Sequence, residues 1–197
     1  MIGDVALPEG VIMLPVKKRK ENIVLSSGAQ LAGIRFHPAI AYGVLDCHYN
    51  KPTLLQSEDD QLYHFYQIFS ELCMISGNAA KVEALNRWVE ESLDFTQVIP
   101  DPLEKALDSI KEIKTLGNIS DSTALSQRQI ERYFKRWLGM TPKQYQRILR
   151  VKRATHFLRI HKHANLAHVA QQFGFSDQAH MTREFRTIAC MTPRSVC

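Results

Sequence analysis

The C-terminal half of this chain contains an internal repeat. Tyr133–Tyr145 (YFKRWLGMTPKQY) and Glu184–Val196 (EFRTIACMTPRSV) align without a gap, at an offset of 51 residues. Phe134 then matches Phe185, and both copies contain the tripeptide Met-Thr-Pro. Two copies of one pattern at a fixed spacing predict a helical motif that is used twice and joined by a connector.

The second copy completes a helix-turn-helix pattern, here called the second motif. The segment LAHVAQQFG has a helical period, Gly174 permits a turn, and Ser176 is predicted to cap the next helix. In a helix-turn-helix the second helix enters the major groove, and its N-terminal residues meet base edges. Met181 and Phe185 are four residues apart and face the core of such a motif. The outward side chains, which include an Arg suited to guanine and a Gln suited to adenine, are Gln178, Ala179, Thr182 and Arg183.

The first copy, here the first motif, follows the same rule. Its reading helix is predicted from an N-cap at Ser126 to Gly139, with Ile130 and Phe134 facing inward. The segment TPKQYQRILRVKRATHFLRIHK then reads as one long helix with Pro142 in its first turn. A rigid connector of this kind would hold two reading helices about one DNA turn apart, roughly 34 Å. The outward residues of the first reading helix are Gln127, Arg128, Glu131 and Arg132.

The charge is divided unevenly along the chain. Residues 1–100 carry 8 Lys and Arg against 12 Asp and Glu, whereas residues 101–197 carry 17 against 8. A basic half beside an acidic one fits a nucleic-acid-binding module joined to something else, although charge alone fits a merely soluble segment equally well. No phosphate loop, nucleophile elbow or paired-carboxylate motif is present, so the chain is not expected to be an enzyme. The four cysteines lie far apart, form no CxxC pair and fit reduced thiols.

The N-terminal half has a different pattern of apolar and turn-forming residues. Short apolar stretches such as VIMLPV and ENIVLSS, punctuated by Pro, Gly and Ser, predict a β-rich region over 1–56. A helical period begins at Ser57, with one helix predicted over 58–76 and another over 79–94. The stretch Pro100–Asp101–Pro102 is the best boundary in the chain, because the residue before a proline avoids the helical region.

These residues together resemble a known family. The segments LSQRQIERYFKRWLGMTPKQYQRILRVKRA and LAHVAQQFGFSDQAHMTREFRTIACMTP resemble the DNA-binding domain of the AraC/XylS family of bacterial transcription regulators, over about 103 to 197. The resemblance implies two helix-turn-helix subdomains joined by a long helix, and promoter binding in the cytoplasm. We therefore predict an α+β class: a reduced N-terminal sensing or dimerisation domain over 1–100, β-rich in 1–56 and helical in 57–97, followed by an all-α domain over 101–197.

The resemblance also assigns site residues. The reading helices fall at about 126–137 and 176–187. Base contact falls on Arg128, Glu131 and Arg132 in the first motif, and on Gln178, Ala179, Thr182 and Arg183 in the second. Phosphate contacts are predicted separately from the resemblance, and the basic connector supplies several of them. They are Ser126, Gln127, Lys143, Arg147, Lys152, Arg153, Ser176 and Arg186.

The chain departs from the family pattern at three places. Met181 stands where the family prefers an aromatic residue, which is a tolerable change in a core. Cys190 stands where the family prefers Gly, at a turn that often needs a positive φ. Between Ile119 and Leu125 the chain has room for barely a turn where the family has a full supporting helix. We expect the first reading helix to be less well supported, and binding to depend more on the second.

The partners implied are double-stranded DNA, RNA polymerase, a small-molecule effector and a second copy of the chain, with no membrane and no cofactor. Two alternatives stay open. One is a DNA-binding module fused to a thiol-reactive or metal-sensing N-terminal domain, for which Cys47 is the nearest candidate. The other is a degenerate regulator that acts by binding protein, and the shortened first motif favours it.

Overall fold

The structure is a computed structural model that describes residues 1, 6–95, 99–111, 119–120 and 123–196. The chain divides into two compact units. The N-terminal unit comprises Met1–Val16 and Glu21–Pro100, and the C-terminal unit comprises Lys17–Lys20 and Asp101–Cys197. No described helix is long and apolar enough to cross a membrane.

In its described residues, the N-terminal unit combines one small sheet with three α-helices. Strand β1 (Ile12–Met13) pairs antiparallel with β2 (Thr53–Leu54), so that Ile12 lies opposite Leu54. Its helices are α1 (Ile40–Leu45), α2 (Phe65–Met74) and α3 (Asn78–Ser92).

The core of this unit is built mainly by one face of α2 and one face of α3. Ile68 of α2 and Ala84 and Trp88 of α3 are buried, together with Val44 of α1. The rings of Phe65 and Trp88 lie 5.1 Å apart. The two amphipathic stripes therefore cover each other, as a helical pair in water requires.

The α+β class is confirmed, although regular strand within the described part of 1–56 is limited to β1 and β2. The stretch IAYGVL, which we placed in the β-rich region, forms α1 instead. The helix predicted to begin at Ser57 begins at Phe65, after a single 3-10 turn over Ser57–Asp59. Asp60 still assists the helix, because its Oδ2 accepts a hydrogen bond from the Tyr66 amide at 2.6 Å. The sequence could not show that this carboxylate acts on the helix from a preceding turn.

The regular structure of the C-terminal unit, in its described residues, is helical. It contains α4 (Asp101–Lys111), α5 (Gln127–Leu138), α6 (Pro142–Ile160), α7 (Leu166–Gln172) and α8 (Gln178–Ala189), followed by a 3-10 turn over Pro193–Ser195. Ile119, Ser120 and Thr123 are also helical, and the Thr123 hydroxyl donates to the Ile119 carbonyl at 2.7 Å. The apolar period of the segment DPLEKALDSIKEIKTLG predicts that α4 ends at Gly117, and that position lies outside the described residues.

Two cores lie along this unit and share α6. In the first, α4 contacts both α5 and α6, and Phe134 of α5 lies 5.9 Å from the ring of Tyr145 of α6. The buried apolar residues there include Leu103, Leu107, Ile110, Ile130, Phe134 and Tyr145. The second core packs α7 and α8 against the later turns of α6, through Val151, Ala154, Leu158, Val169, Ala170, Phe175, Met181 and Phe185. The long connector predicted from the sequence is therefore a structural member of both cores.

Candidate nucleic-acid interface

The second motif is α7, a turn and α8. Gly174 adopts φ 73° in the turn, a left-handed conformation that glycine tolerates best. The α8 N-cap is Asp177, so the prediction of Ser176 was wrong by one residue. Asp177 has extended backbone angles, and its Oδ1 accepts the His180 amide at 2.6 Å, which is how a cap satisfies a free helical N–H. The hydrogen bond from the His180 amide is the largest influence on the Asp177 carboxyl, and it lowers the pKa of that group.

The two sides of α8 differ as the periodicity predicted. Met181 and Phe185 are both 0% exposed. Gln178, Ala179 and Arg183 are exposed, and Thr182 is half-buried with its hydroxyl donating to the Gln178 carbonyl at 2.9 Å. The structure thus places all four predicted base readers within the first six residues of α8, near the end that a helix-turn-helix directs at DNA.

One charged side chain of α8 faces inward. Glu184 is 8% exposed, and Arg147 of α6 holds both of its oxygens, Nε to Oε2 at 2.8 Å and Nη2 to Oε1 at 2.9 Å. The hydrogen bonds from Arg147 are the largest influence on the Glu184 carboxyl and lower its pKa, against the opposing effect of burial. The same bond raises the pKa of Arg147. Glu184 therefore ties α8 to α6 as a carboxylate.

His180 and Arg150 extend this contact to the turn. His180 Nδ1 lies 3.0 Å from Ser176 Oγ, and His180 Nε2 lies 4.0 Å from Glu184 Oε1. The guanidinium of Arg150 lies 5.4 Å from the centre of the Phe175 ring, and His180 meets that ring edge-on. The N-terminal half of α8 is thus held by polar contacts as well as by its apolar core.

In the first motif, α5 has the same two-sided arrangement. Ile130 and Phe134 are buried, whereas Arg128, Glu131 and Arg132 are exposed on the opposite side. The N-cap is Ser126, as predicted. Its amide donates a hydrogen bond to Gln129 Oε1, and its hydroxyl accepts one from the Gln129 amide, which together form a capping box. The three predicted base readers of the first motif therefore share one exposed surface.

The predicted phosphate contacts fall into two groups. Gln127, Lys143, Lys152 and Arg186 are exposed. The others already have a polar partner within the C-terminal unit: Ser126 with Gln129, Ser176 with His180, Arg147 with Glu184, and Arg153 with the Lys111 carbonyl. A phosphate contact by any of these four would have to share or displace that partner.

A family model described as "Helix-turn-helix domain" matches residues 119–196. The chain is 36% identical over 78 residues to the HTH-type transcriptional activator RhaS of Escherichia coli, covering 40% of this chain and 28% of the relative. It is 35% identical over 89 residues to RhaS of Escherichia fergusonii, covering 45% of this chain and 32% of the relative. The chain therefore spans about a third of the length of these curated relatives.

Residues 119–196 are an AraC/XylS-type helix-turn-helix domain. The repeat found in the sequence is visible in its structure. Gly139 and Cys190, at equivalent positions, both adopt left-handed angles, with φ 64° and 53°. Thr141 and Thr192 both form capping boxes, each followed by a proline. The expectation that Cys190 occupies a positive-φ turn is confirmed.

Sequence reasoning about this AraC/XylS-type domain missed three residues: Asp177, His180 as a contact of the turn, and Glu184. Glu184 did leave a signal. It lies beside Phe185 and three residues after Met181, on a helix whose core face is otherwise apolar. A carboxylate so close to a core requires a cationic partner, and the neighbouring helix carries several.

Proposed function

We propose that this chain is a DNA-binding transcription regulator whose two motifs read the major groove through α5 and α8. The observation that carries the proposal is the repeated arrangement itself. Each reading helix is anchored by buried apolar side chains and presents polar side chains on its opposite, exposed side. Such side chains are the ones that hydrogen-bond base edges in a groove wide enough for a helix. The base readers proposed are Arg128, Glu131 and Arg132 in α5, and Gln178, Ala179, Thr182 and Arg183 in α8.

The charge of the C-terminal half supports the same proposal. Residues 101–197 carry 17 Lys and Arg against 8 Asp and Glu, which favours a polyanion as partner. Of the predicted phosphate contacts, we favour the four exposed residues Gln127, Lys143, Lys152 and Arg186. Because the relatives bear the name transcriptional activator, we extend activation to this chain, in the cytoplasm and with RNA polymerase as a further partner. An effector and a second copy of the chain are proposed for the N-terminal unit.

The direct test selects bound duplexes from a random DNA pool and follows affinity against salt. The proposal predicts two short conserved blocks about one helical turn apart, roughly 34 Å. A single block would mean that only one motif reads the base sequence. We expect that motif to be the second, because the segment before α5 is shortened. No binding at any salt concentration would reject the proposal and favour a regulator that binds protein.

Arg183→Ala should relax base preference at one or two positions of one block. The expected cost is about 1–3 kcal/mol of binding to the preferred sequence, because a bidentate contact to a base edge is lost. The matched control is Arg159→Gln, which removes one exposed positive charge near the far end of α6. Unchanged preference in a folded Arg183→Ala variant would remove Arg183 from the base readers.

Lys152→Ala should weaken binding to all sequences alike. A lysine that neutralises one phosphate contributes about 1 to the slope of log affinity against log salt, so the slope should flatten by about that amount. The selected blocks should stay the same as those of the unmodified chain. An unchanged slope would place Lys152 away from the DNA backbone.

A further inference from the structure

The contact between α6 and α8 has two parts, and only one of them fixes an angle. The apolar part, through Val151, Met181 and Phe185, is tightly packed but non-directional. The polar part is the pair of parallel hydrogen bonds from Arg147 to Glu184, at 2.8 and 2.9 Å. A planar guanidinium that meets a carboxylate edge to edge constrains both distance and orientation.

The position of Glu184 on α8 makes this constraint relevant to DNA reading. Glu184 follows Arg183 directly, so the two side chains leave the helix about 100° apart. When Glu184 is held against α6, the direction of Arg183 is set. Glu184 also lies one turn after His180, whose Nε2 is 4.0 Å from Glu184 Oε1. The rotation of α8 about its own axis is therefore fixed by a contact beside its exposed reading surface.

The first motif has a different residue at this place. The 51-residue offset places Tyr133 of α5 at the position of Glu184, so α5 has no carboxylate there. Its contact with α6 instead includes the ring pair of Phe134 and Tyr145, 5.9 Å apart. A change at the Arg147–Glu184 pair should therefore affect reading by α8 and leave reading by α5 intact.

We propose that Arg147 is a positioning residue for α8 rather than a DNA-phosphate contact, and that its bidentate pair with Glu184 sets the orientation in which α8 presents Arg183 to base edges. This inference rests on the proposed function and replaces the phosphate role that the sequence assigned to Arg147. Breaking the pair disturbs α8, because an almost fully buried carboxylate or amide then needs a new partner.

The test uses Glu184→Gln in the full chain. A phosphate contact by Arg147 and a positioning role for Arg147 predict opposite changes in DNA affinity for this variant. If Arg147 contacted a phosphate, releasing it from Glu184 would leave affinity equal or higher and the salt dependence equal or steeper. If Arg147 positions α8, Glu184→Gln weakens binding to the preferred duplex by about 2- to 30-fold, the range for mutations that act through a packed network. Selection from the random pool should then show weaker or no base preference in one block and an unchanged preference in the other.

Two further variants separate positioning from a general loss of structure. Arg147→Lys keeps the positive charge but loses the two parallel N–H donors of the guanidinium. It should therefore weaken base preference in the same block, whereas a contact with phosphate would be retained. The exchange Arg147→Glu with Glu184→Arg should recover the block relative to either single change, although it places an acid where a phosphate contact would need a base. Glu104→Gln, an exposed substitution on α4, makes the same change of charge as Glu184→Gln and is its matched control. Thermal unfolding of each variant shows whether it is folded.

The outcomes are distinguishable. An unmodified chain that selects no sequence overturns the proposed function, and the positioning role with it. An unmodified chain that selects two blocks, with a Glu184→Gln variant that binds as well or better, overturns only the positioning role. Equal loss of both blocks in folded Glu184→Gln and Arg147→Lys variants would also overturn it, since the pair would then act on the whole domain.

Discussion

At the scale of single residues, equivalent positions of the two motifs hold one backbone conformation with different side chains. Gly139 ends α5 with φ 64°, and Cys190 ends α8 with φ 53°. A left-handed residue after a helix satisfies its last carbonyls, and glycine reaches that conformation without strain from a Cβ atom. The cysteine holds the same turn at a conformational cost that the glycine avoids.

Cys190→Gly should therefore stabilise the folded chain. We expect a gain of about 0.5–1 kcal/mol in the free energy of unfolding, since relief of strain outweighs the freedom that glycine adds to the unfolded chain. The measurement is urea unfolding of the two proteins side by side. The reciprocal variant is Gly139→Ala, where a Cβ would meet no atom within 4 Å, so any loss would be conformational rather than steric. A loss of stability in Cys190→Gly would instead give weight to the contact of Cys190 Sγ with the Lys20 carbonyl, at 3.7 Å.

At the scale of elements, α8 is joined to α6 by an apolar cluster that does not depend on pH and an ion pair that does. The pKa of the Glu184 carboxyl is lowered by the hydrogen bonds from Arg147. A carboxyl with a lowered pKa in the folded state stabilises the fold above its unfolded pKa, about 4.3, and loses that contribution as pH falls through the lowered value. Acid should thus weaken the α6–α8 contact before the apolar cluster fails.

Glu184→Gln should reduce stability at neutral pH and converge with the unmodified chain in acid. The expected cost at about pH 7 is about 1–3 kcal/mol, between the values for exposed and buried pairs, because the Arg147 side chain is 39% exposed. Unfolding in urea at neutral pH and at about pH 3 would measure the convergence. Glu131→Gln, an exposed change on α5, is the control and should stay within about 0.5 kcal/mol at both pH values. A constant difference at both pH values would mean that packing, not charge, accounts for the loss.

At the scale of the C-terminal unit, α6 sets the distance between α5 and α8. It runs without interruption from Pro142 to Ile160, about 28 Å at 1.5 Å per residue, and contributes buried side chains to the cores of both motifs. Because both ends are packed, the connector acts as a spacer of fixed length and cannot adapt like a flexible linker.

DNA spacing should therefore be fixed in length as well as in phase. Inserting about 5 base pairs between the two selected blocks places them on opposite faces of the duplex, and inserting about 10 restores the face but not the distance. Both insertions should reduce affinity toward that of a single block, measured by titration of labelled duplexes. Insertions of equal length outside the blocks are the control. Recovery with the longer insertion would indicate that the blocks are bound by separate chains or through a flexible connector.

Much of the C-terminal unit was predictable because its signals are local. The period of the apolar residues indicated which faces of α5 and α8 are buried, and the cap at Ser126 and the start of α6 at Pro142 follow from a few neighbouring residues. The repeat added a long-range constraint that one sequence seldom carries. The N-terminal unit lacked such signals, so the IAYGVL helix and the start of α2 at Phe65 were missed.

Local signals were enough to predict amphipathic helices at α5 and α8 on either side of the long helix α6, because helical period, caps and glycine turns are encoded within a few residues of where they act. Which charged residues already have a hydrogen-bonding partner depends instead on contacts between distant parts of the chain. Arg147 and Glu184 are 37 residues apart, and Arg153 and the Lys111 carbonyl are 42 residues apart. An arginine's sequence neighbours do not indicate whether its guanidinium meets a carboxylate, a helix end or solvent. That depends on how the helices pack, and the packing separates an exposed basic side chain from one that already has a partner on another helix.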